Sequence, residues 1–152
     1  MKRLADYLSR DRILLLKSPL KEDALNTLVD VIASTLEFSH REDLRSAIFE
    51  REKILSTGIG LGIAVPHAKI AGLKDFVLAA GISHEGISFD SLDRKPVHII
   101  LMIAGPAGEQ QQYLQILARA TLLLKNAATR KAILAAENEG DIHRLVAENS
   151  RP

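Results

Sequence analysis

Residues 97–104 read Val-His-Ile-Ile-Leu-Met-Ile-Ala, an apolar run broken once, by His98. A strand with one wet face alternates apolar and polar side chains, so a run of this kind needs cover on both faces. It therefore predicts a sheet with this segment at its centre and helices packed above and below it. Gly105-Pro106 ends the run at strand length. The uninterrupted part, 99–104, is far too short to cross a bilayer.

The flanking segments supply the covering helices. Leu4, Tyr7 and Leu8 have helical spacing, and 12–16 is apolar and strand-length. Ser18 and Pro19 read as an N-cap and a first helical position, opening a helix to about residue 37 along the stripe Leu25, Leu28, Ile32 and Leu36. Ser39 and Glu42 form a capping-box pattern at the head of a second helix, with Leu44, Ala47 and Ile48 facing inward. Beyond the apolar run, Tyr113, Leu117, Ala120 and Leu124 trace one face of a helix to about 126. Thr129 opens another to about 137, and Gly140 separates it from a last helix near 141–148, with 150–152 frayed. Residues 69–74 read as a loop, 76–83 as a strand closed by a turn at Glu85-Gly86, 87–89 as a further short strand and 90–95 as a polar connection. That turn argues against an all-parallel sheet, because parallel neighbours need long crossovers. The prediction is an α/β sandwich, a single domain spanning 1–152, with a mixed sheet and helices on both faces.

The strongest chemical signal lies at 57–68, Thr-Gly-Ile-Gly-Leu-Gly-Ile-Ala-Val-Pro-His-Ala. Gly58, Gly60 and Gly62 permit positive φ and close approach of backbone N–H groups to an anion, while Ile63-Ala64-Val65 favours a buried strand. Pro66 fixes its own φ and holds Val65 extended, so His67 leaves the strand end in a restricted direction. On the second helix Arg51 follows Leu44 and Ile48 at spacings of four and then three, which turns a cation inward near the same loop. The alternative is that Arg51 caps the helix C-terminus. A neutral imidazole is nucleophilic and can carry a phosphoryl group on one ring nitrogen, with backbone amides and a guanidinium balancing the oxygens. General-base chemistry is the competing use of His67, with Ser56 and Thr57 the nearby hydroxyls.

Other chemistries find little support. His40 falls in a first helical turn, His84 beside a turn, His98 within the apolar strand and His143 on the last helix, all structural settings. No HExxH or other familiar ligand spacing occurs, so no metal is expected. No cofactor is expected either, since Gly-x-Gly-x-Gly lacks both the dinucleotide fingerprint and the Walker Lys-Ser/Thr. Cysteine is absent, which excludes thiolate chemistry and fits a cytoplasmic protein. Twenty Lys and Arg against nineteen Asp and Glu leave a formal charge of +1, so neither nucleic acid nor an anionic membrane is an expected partner. Residues 1–9 are amphipathic and lack the apolar core of a signal peptide.

At 58–68 the sequence resembles the IIA domains of the phosphoenolpyruvate-dependent sugar phosphotransferase system, in the mannitol/fructose class that includes the stand-alone nitrogen-regulatory proteins. The similarity extends through Arg51 upstream, and through Gly86-Ile87-Ser88-Phe89-Asp90 and Pro96-Val97-His98 downstream. It implies a mixed five-stranded sheet between helices, phosphorylation of His67 by an HPr-type phosphohistidine carrier, and stabilisation of the phosphoryl group by Arg51. Thr57, Gly58, Gly60, Gly62 and Pro66 would support that site. Many members carry a second histidine where this chain has Tyr113, and a phenol stays neutral where an imidazole can titrate, so Tyr113 is expected to line the pocket mainly by packing. The segment Leu-Ser-Arg-Asp-Arg-Ile-Leu at 8–14 is like that of the nitrogen-regulatory branch, which implies regulatory targets such as transporters or kinases. The alternatives are a fructose- or mannitol-specific IIA that passes phosphate to a IIB cysteine, and a scaffold that binds partners without phosphate.

Overall fold

The computed structural model describes residues 2–36 and 39–149. Two 3-10 turns, Leu4–Tyr7 and Arg10–Arg12, lead into β1 (Ile13–Leu15), α1 (Lys21–Thr35), α2 (Arg41–Ile54), β2 (Gly58–Gly60), β3 (Ile63–Ala64) and β4 (His67–Ile70). There follow β5 (Val77–Ile87), β6 (Val97–Pro106), α3 (Gln110–Lys125), α4 (Ala127–Ala135) and α5 (Glu139–Asn149).

The apolar run forms β6, at the centre of the sheet as expected. It pairs antiparallel with β5 on one edge and parallel with β3 and then β4 on the other. β1 lies parallel to β5, and β2 antiparallel to β3, on the outer edges. Because Ile63 stands opposite Ile99 and His67 opposite Ile103, β3 and β4 lie end to end along β6. Six strands thus occupy five tracks of a mixed sheet.

Period-two alternation along β6 sorts its side chains into two layers. Ile99, Leu101 and Ile103 join Ile63, Val65, Tyr113, Ile116, Ala120 and Ile133 beneath α3, α4 and α5. Ile100, Met102 and Ala104 join Ala64, Ala68, Leu25, Leu28, Leu44 and Ile48 beneath α1 and α2. Burying one Leu or Ile side chain is worth roughly 1.5–3 kcal/mol, so a strand that feeds both layers is the main stabilising element of the sheet.

Local expectations at several element ends give way to tertiary contacts. Leu20, not Ser18, takes the N-cap position of α1, and no side chain caps it. The Pro19 carbonyl accepts from the Ser88 N–H at 2.9 Å and Leu20 bridges Ser88, so the chain is held by the sheet until Lys21. His40 stands at the N-cap of α2, again without a side-chain bond that caps the helix, and Glu42 pairs with Arg41, so the Ser39–Glu42 capping box does not form. The cap of α4 is Asn126, whose side chain accepts from the Thr129 N–H at 3.0 Å. Gly140 lies inside the first turn of α5 rather than before it. The predicted helix end near 37 and the frayed segment 150–152 fall outside the described residues.

Two strands are longer than expected. Lys69 and Ile70 belong to β4 and not to a loop. Glu85-Gly86 is not a turn, because β5 runs through it to Ile87 with a register shift against β6 between Ile82 and Ile87. Gly86 takes φ +100° at that irregularity, where a Cβ would lie 2.8 Å from the Pro96 Cβ. The antiparallel β5–β6 pair is instead joined by the connection 88–96. The mixed sheet is therefore present for a different reason than the one its sequence offered.

Candidate functional site

The path from β3 to β4 is interrupted once, at Val65-Pro66. The Val65 N–H donates to the Thr57 carbonyl at 3.1 Å, and the Pro66 carbonyl accepts from the Ile103 N–H at 2.9 Å. Pro66 has no N–H to give, so pairing lapses there and resumes at His67. His67 therefore opens a strand instead of leaving one. It shares a face with Val65, and the imidazole emerges on the α3 side with its ring centroid 5.8 Å from that of Tyr113.

Two residues back along the chain, the Val65 carbonyl lies 2.8 Å from His67 Nδ1. A carbonyl can only accept, so Nδ1 carries the ring proton and Nε2 the lone pair. Burial is the chief influence lowering the imidazole below its usual pKa of 6.5; Arg51 acts in the same sense, and the Val65 carbonyl and Glu52 oppose it. The result is a half-buried, neutral imidazole whose free nitrogen is Nε2. Such a ring is a competent nucleophile at neutral pH.

Arg51 lies in the last turn of α2, half-buried, and its Nη1 donates to the Leu55 carbonyl at 2.8 Å. It closes the helix C-terminus, while its charge reaches both His67 and Tyr113. The helix-end contact is thus present, and the guanidinium stands within electrostatic reach of the ring without being turned fully inward. The fully inward position is the next residue: Leu44, Ile48 and Glu52 are the buried members of α2, at strict spacings of four. Glu52 Oε1 pairs with Lys21 Nζ at 2.9 Å and accepts from the Thr57 N–H at 3.1 Å. The sequence reading missed Glu52 because it continued the stripe with a spacing of three; the i, i+4 row through Ile48 was the signal that finds it.

The supporting residues separate into two groups. Thr57 and Pro66 are hydrogen-bonded into the backbone that carries His67. Gly58 pairs with Ala64, and Gly60 and Gly62, at φ +99° and +75°, form the tip of the β2–β3 hairpin with Leu61. Gly62 accepts from the N–H groups of His98 and Ile99. From Ile99 to Ile103 is four residues, ~13 Å along a strand at about 3.3 Å each, so the tip lies well away from His67. Gly60 and Gly62 serve a tight hairpin, and their N–H groups do not lie beside His67 as the motif predicts.

Tyr113 does face His67. It is 6% exposed, and burial pushes its phenol up to about 12, against a smaller lowering by Arg51, so the hydroxyl stays protonated. Phe76 packs beside it with ring centroids 6.5 Å apart, and Lys69 Nζ sits 5.5 Å over the ring while bonding Gln110. A Tyr113→Phe protein should therefore lose one neutral hydrogen bond at most, about 1 kcal/mol, and slow any transfer at His67 by no more than about tenfold. Rates from quenched single-turnover time courses check this, and loss of all reaction in a folded Tyr113→Phe protein would make the hydroxyl catalytic. Gly105 forms the floor of this wall: a Cβ there would lie 2.5 Å from Phe76 Cε1 and 3.2 Å from Tyr113 Cδ1. Gly105→Ala is expected to cost roughly 1–3 kcal/mol by overpacking, read as a lower urea midpoint at unchanged slope.

Three of the other four histidines have hydrogen-bond partners of their own. His98 Nδ1 donates to the Ser83 carbonyl at 2.8 Å, His143 Nε2 lies 3.1 Å from the Ala5 carbonyl, and His40 Nδ1 is 3.2 Å from Asp43. Among the described residues no group of three His, Asp or Glu side chains is placed to hold a metal ion. No helix among them is long and apolar enough to cross a membrane.

Residues 6–149 match the family described as phosphoenolpyruvate-dependent sugar phosphotransferase system, EIIA 2. A fructose-specific EIIABC component of Bacillus subtilis (strain 168) is 34% identical over 150 residues, 98% of this chain; the chain spans 24% of that relative's length. A nitrogen regulatory protein of Bradyrhizobium diazoefficiens is 30% identical over 146 residues, 95% of this chain and 94% of the relative. The crystal structure of nitrogen regulatory protein IIA-Ntr from Neisseria meningitidis superposes with a TM-score of 0.87 at 23% identity, covering 94% of this chain and 98% of that one. Fructose-specific and nitrogen-regulatory proteins both stand among the relatives.

Proposed function

Since the chain belongs to the EIIA 2 family of the phosphoenolpyruvate-dependent sugar phosphotransferase system, we propose that its phosphoryl-carrier role is performed by His67 Nε2, with an HPr-type phosphohistidine carrier as donor. The observation that carries the assignment is the Val65 carbonyl holding the proton on Nδ1, which leaves Nε2 as the nucleophile. The Nε2 lone pair attacks phosphorus, the P–N bond to the carrier's histidine breaks, and that nitrogen leaves with its electron pair. No proton has to leave His67 before attack. Arg51, whose charge already reaches the ring, balances the incoming oxygens, and the neutral Tyr113 hydroxyl stands by as a donor.

The same reading makes the chain a nitrogen-regulatory IIA acting in the cytoplasm, whose phosphorylated and unphosphorylated forms bind a transporter or kinase differently. Segment 8–14 and the nearly full-length match to a nitrogen regulatory protein support it. The second reading, a sugar-specific IIA that passes phosphate to a IIB cysteine, is favoured by the 34% identity to the fructose-specific relative. The test is incubation of the full chain with phosphoenolpyruvate, enzyme I and HPr homologues, followed by intact mass measurement and then addition of a fructose-class IIB domain. One acid-labile phosphoryl group is expected, retained when IIB is added. No added mass overturns the carrier assignment to this chain's histidine, and rapid loss to IIB selects the sugar-specific reading.

A further inference from the structure

We infer that Glu52 is a positioning residue for His67: its buried carboxylate anchors a chain of three hydrogen bonds that fixes which imidazole nitrogen is free. The inference rests on the reading of His67 as the phosphoryl acceptor. Glu52 Oε1 accepts from the Thr57 N–H at 3.1 Å, the Thr57 carbonyl accepts from the Val65 N–H at 3.1 Å, and the Val65 carbonyl accepts from His67 Nδ1–H at 2.8 Å. Each link ends on backbone of the next segment, so α2, the start of β2 and the β3–β4 junction are tied in series to the ring.

The carboxylate itself is held from a fourth element. Lys21, the first residue of α1, pairs with Oε1 at 2.9 Å, and its Nζ lies 4.4 Å over the Phe89 ring. The Glu52 side chain is 5% exposed and that of Lys21 20%. Oε2 of Glu52 and the Thr57 hydroxyl, both buried, have no hydrogen-bond partner among the described residues. Glu52 satisfies the Thr57 N–H and the Lys21 ammonium while leaving one buried carboxylate oxygen unpaired, so it carries both a stabilising contact and a cost. Beyond stability, it holds the N–H that, through the Thr57 carbonyl, is tied to Val65 and so bears on the direction of the Val65 carbonyl.

Arg51 and Glu52 are adjacent and act on His67 in opposite senses, the cation disfavouring and the carboxylate favouring a positive ring. Arg51 faces the incoming phosphoryl group in the proposed mechanism; Glu52 touches only the scaffold behind the ring and never the reacting atoms.

The test uses the full unphosphorylated chain, labelled with nitrogen-15 at histidine, and reads the His67 ring nitrogens by long-range proton–nitrogen correlation. The wild type should show a protonated Nδ1 and an unprotonated Nε2. Glu52→Ala should mix the two tautomers and, in the phosphorylation assay, slow uptake by about tenfold to a hundredfold, the scale for a misplaced reacting group. Glu52→Gln keeps an oxygen for the Thr57 N–H and should retain the wild-type nitrogen pattern, although it loses the ion pair to Lys21. Lys21→Met should retain it too. A folded Glu52→Ala protein with the wild-type pattern and rate overturns the inference, as does a mixed pattern in Glu52→Gln. Should Glu52→Ala fail to fold, Glu52→Asp, one methylene too short to reach Thr57 and Lys21 together, carries the same expectation and the same refutation. The nitrogen pattern is read without phosphate, so a wild-type chain that takes up no phosphoryl group counts against the acceptor reading alone.

Discussion

His67→Ala is expected to take up no phosphoryl group from the phosphoenolpyruvate cascade under conditions in which the wild type is fully converted, a loss limited only by detection. Alanine removes the one nucleophilic nitrogen that the backbone presents, and the neighbouring Tyr113 cannot substitute, because burial pushes its phenol up to about 12 and keeps it protonated. The fold should survive. His67 is half-buried at an edge strand, its side chain bonds the Val65 carbonyl, and the substitution leaves every strand pairing in place. Intact mass before and after a mild acid step reads the result, and added mass that persists in His67→Ala would move the acceptor elsewhere. The wild-type rate should also carry a pH signature. Burial and Arg51 hold the imidazole below its usual 6.5, so the neutral nucleophile persists to more acid pH than a free histidine would allow. The acid-side fall in uptake should have its midpoint below 6.5, provided the donor is supplied at saturating level; a midpoint above 6.5 would contradict that direction.

Much of this site can be read from residue order, since Pro66 and His67 act through local backbone geometry. Pro66 lacks an N–H wherever it sits, and in the structure it marks the break between β3 and β4 with His67 next to it. The central strand was equally legible, because an apolar run of that length fits only a doubly covered position. What the sequence hid were contests between local and distant partners. Ser18 has the chemistry of an N-cap, but Pro19 and Leu20 are engaged by Ser88 across the sheet, so the helix starts later. Glu85-Gly86 has the composition of a turn, yet cross-strand pairing carries β5 through it as an irregularity. The glycines at 60 and 62 reveal positive φ, not the place of the hairpin they build. Their distance from His67 depends on the register of β3 and β4 along β6, which no local pattern encodes.

Arg51 and Glu52 show the same limit at the level of one residue. An inward phase on a helix is defined to within about 100° per step, and spacings of three and four are both compatible with one face. Choosing between Arg51 and Glu52 from the stripe alone was therefore under-determined. The structure gives the buried slot to the carboxylate and leaves the guanidinium half-buried at the rim, where it can meet something that arrives from outside.

Arg51→Ala is accordingly expected to slow phosphoryl uptake at His67 by about 10²–10³, or roughly 2.7–4 kcal/mol, the range for removing one preorganised donor from developing charge. Before transfer the guanidinium disfavours a positive imidazole and so helps keep Nε2 free. When the phosphoryl group arrives the same cation faces an anion, and its effect turns from poising the nucleophile to stabilising the product. Alanine loses both effects. It also removes the bond to the Leu55 carbonyl that closes α2, worth about 1 kcal/mol of stability, so the rate must be set beside the urea midpoint. Arg51→Lys separates the contributions: a lysine keeps the charge without the planar fork, and should recover part of the rate while leaving the helix end weakened. If Arg51→Ala unfolds at a lower urea concentration yet accepts phosphate as fast as the wild type, Arg51 is a helix cap and the charge beside His67 takes no part in transfer.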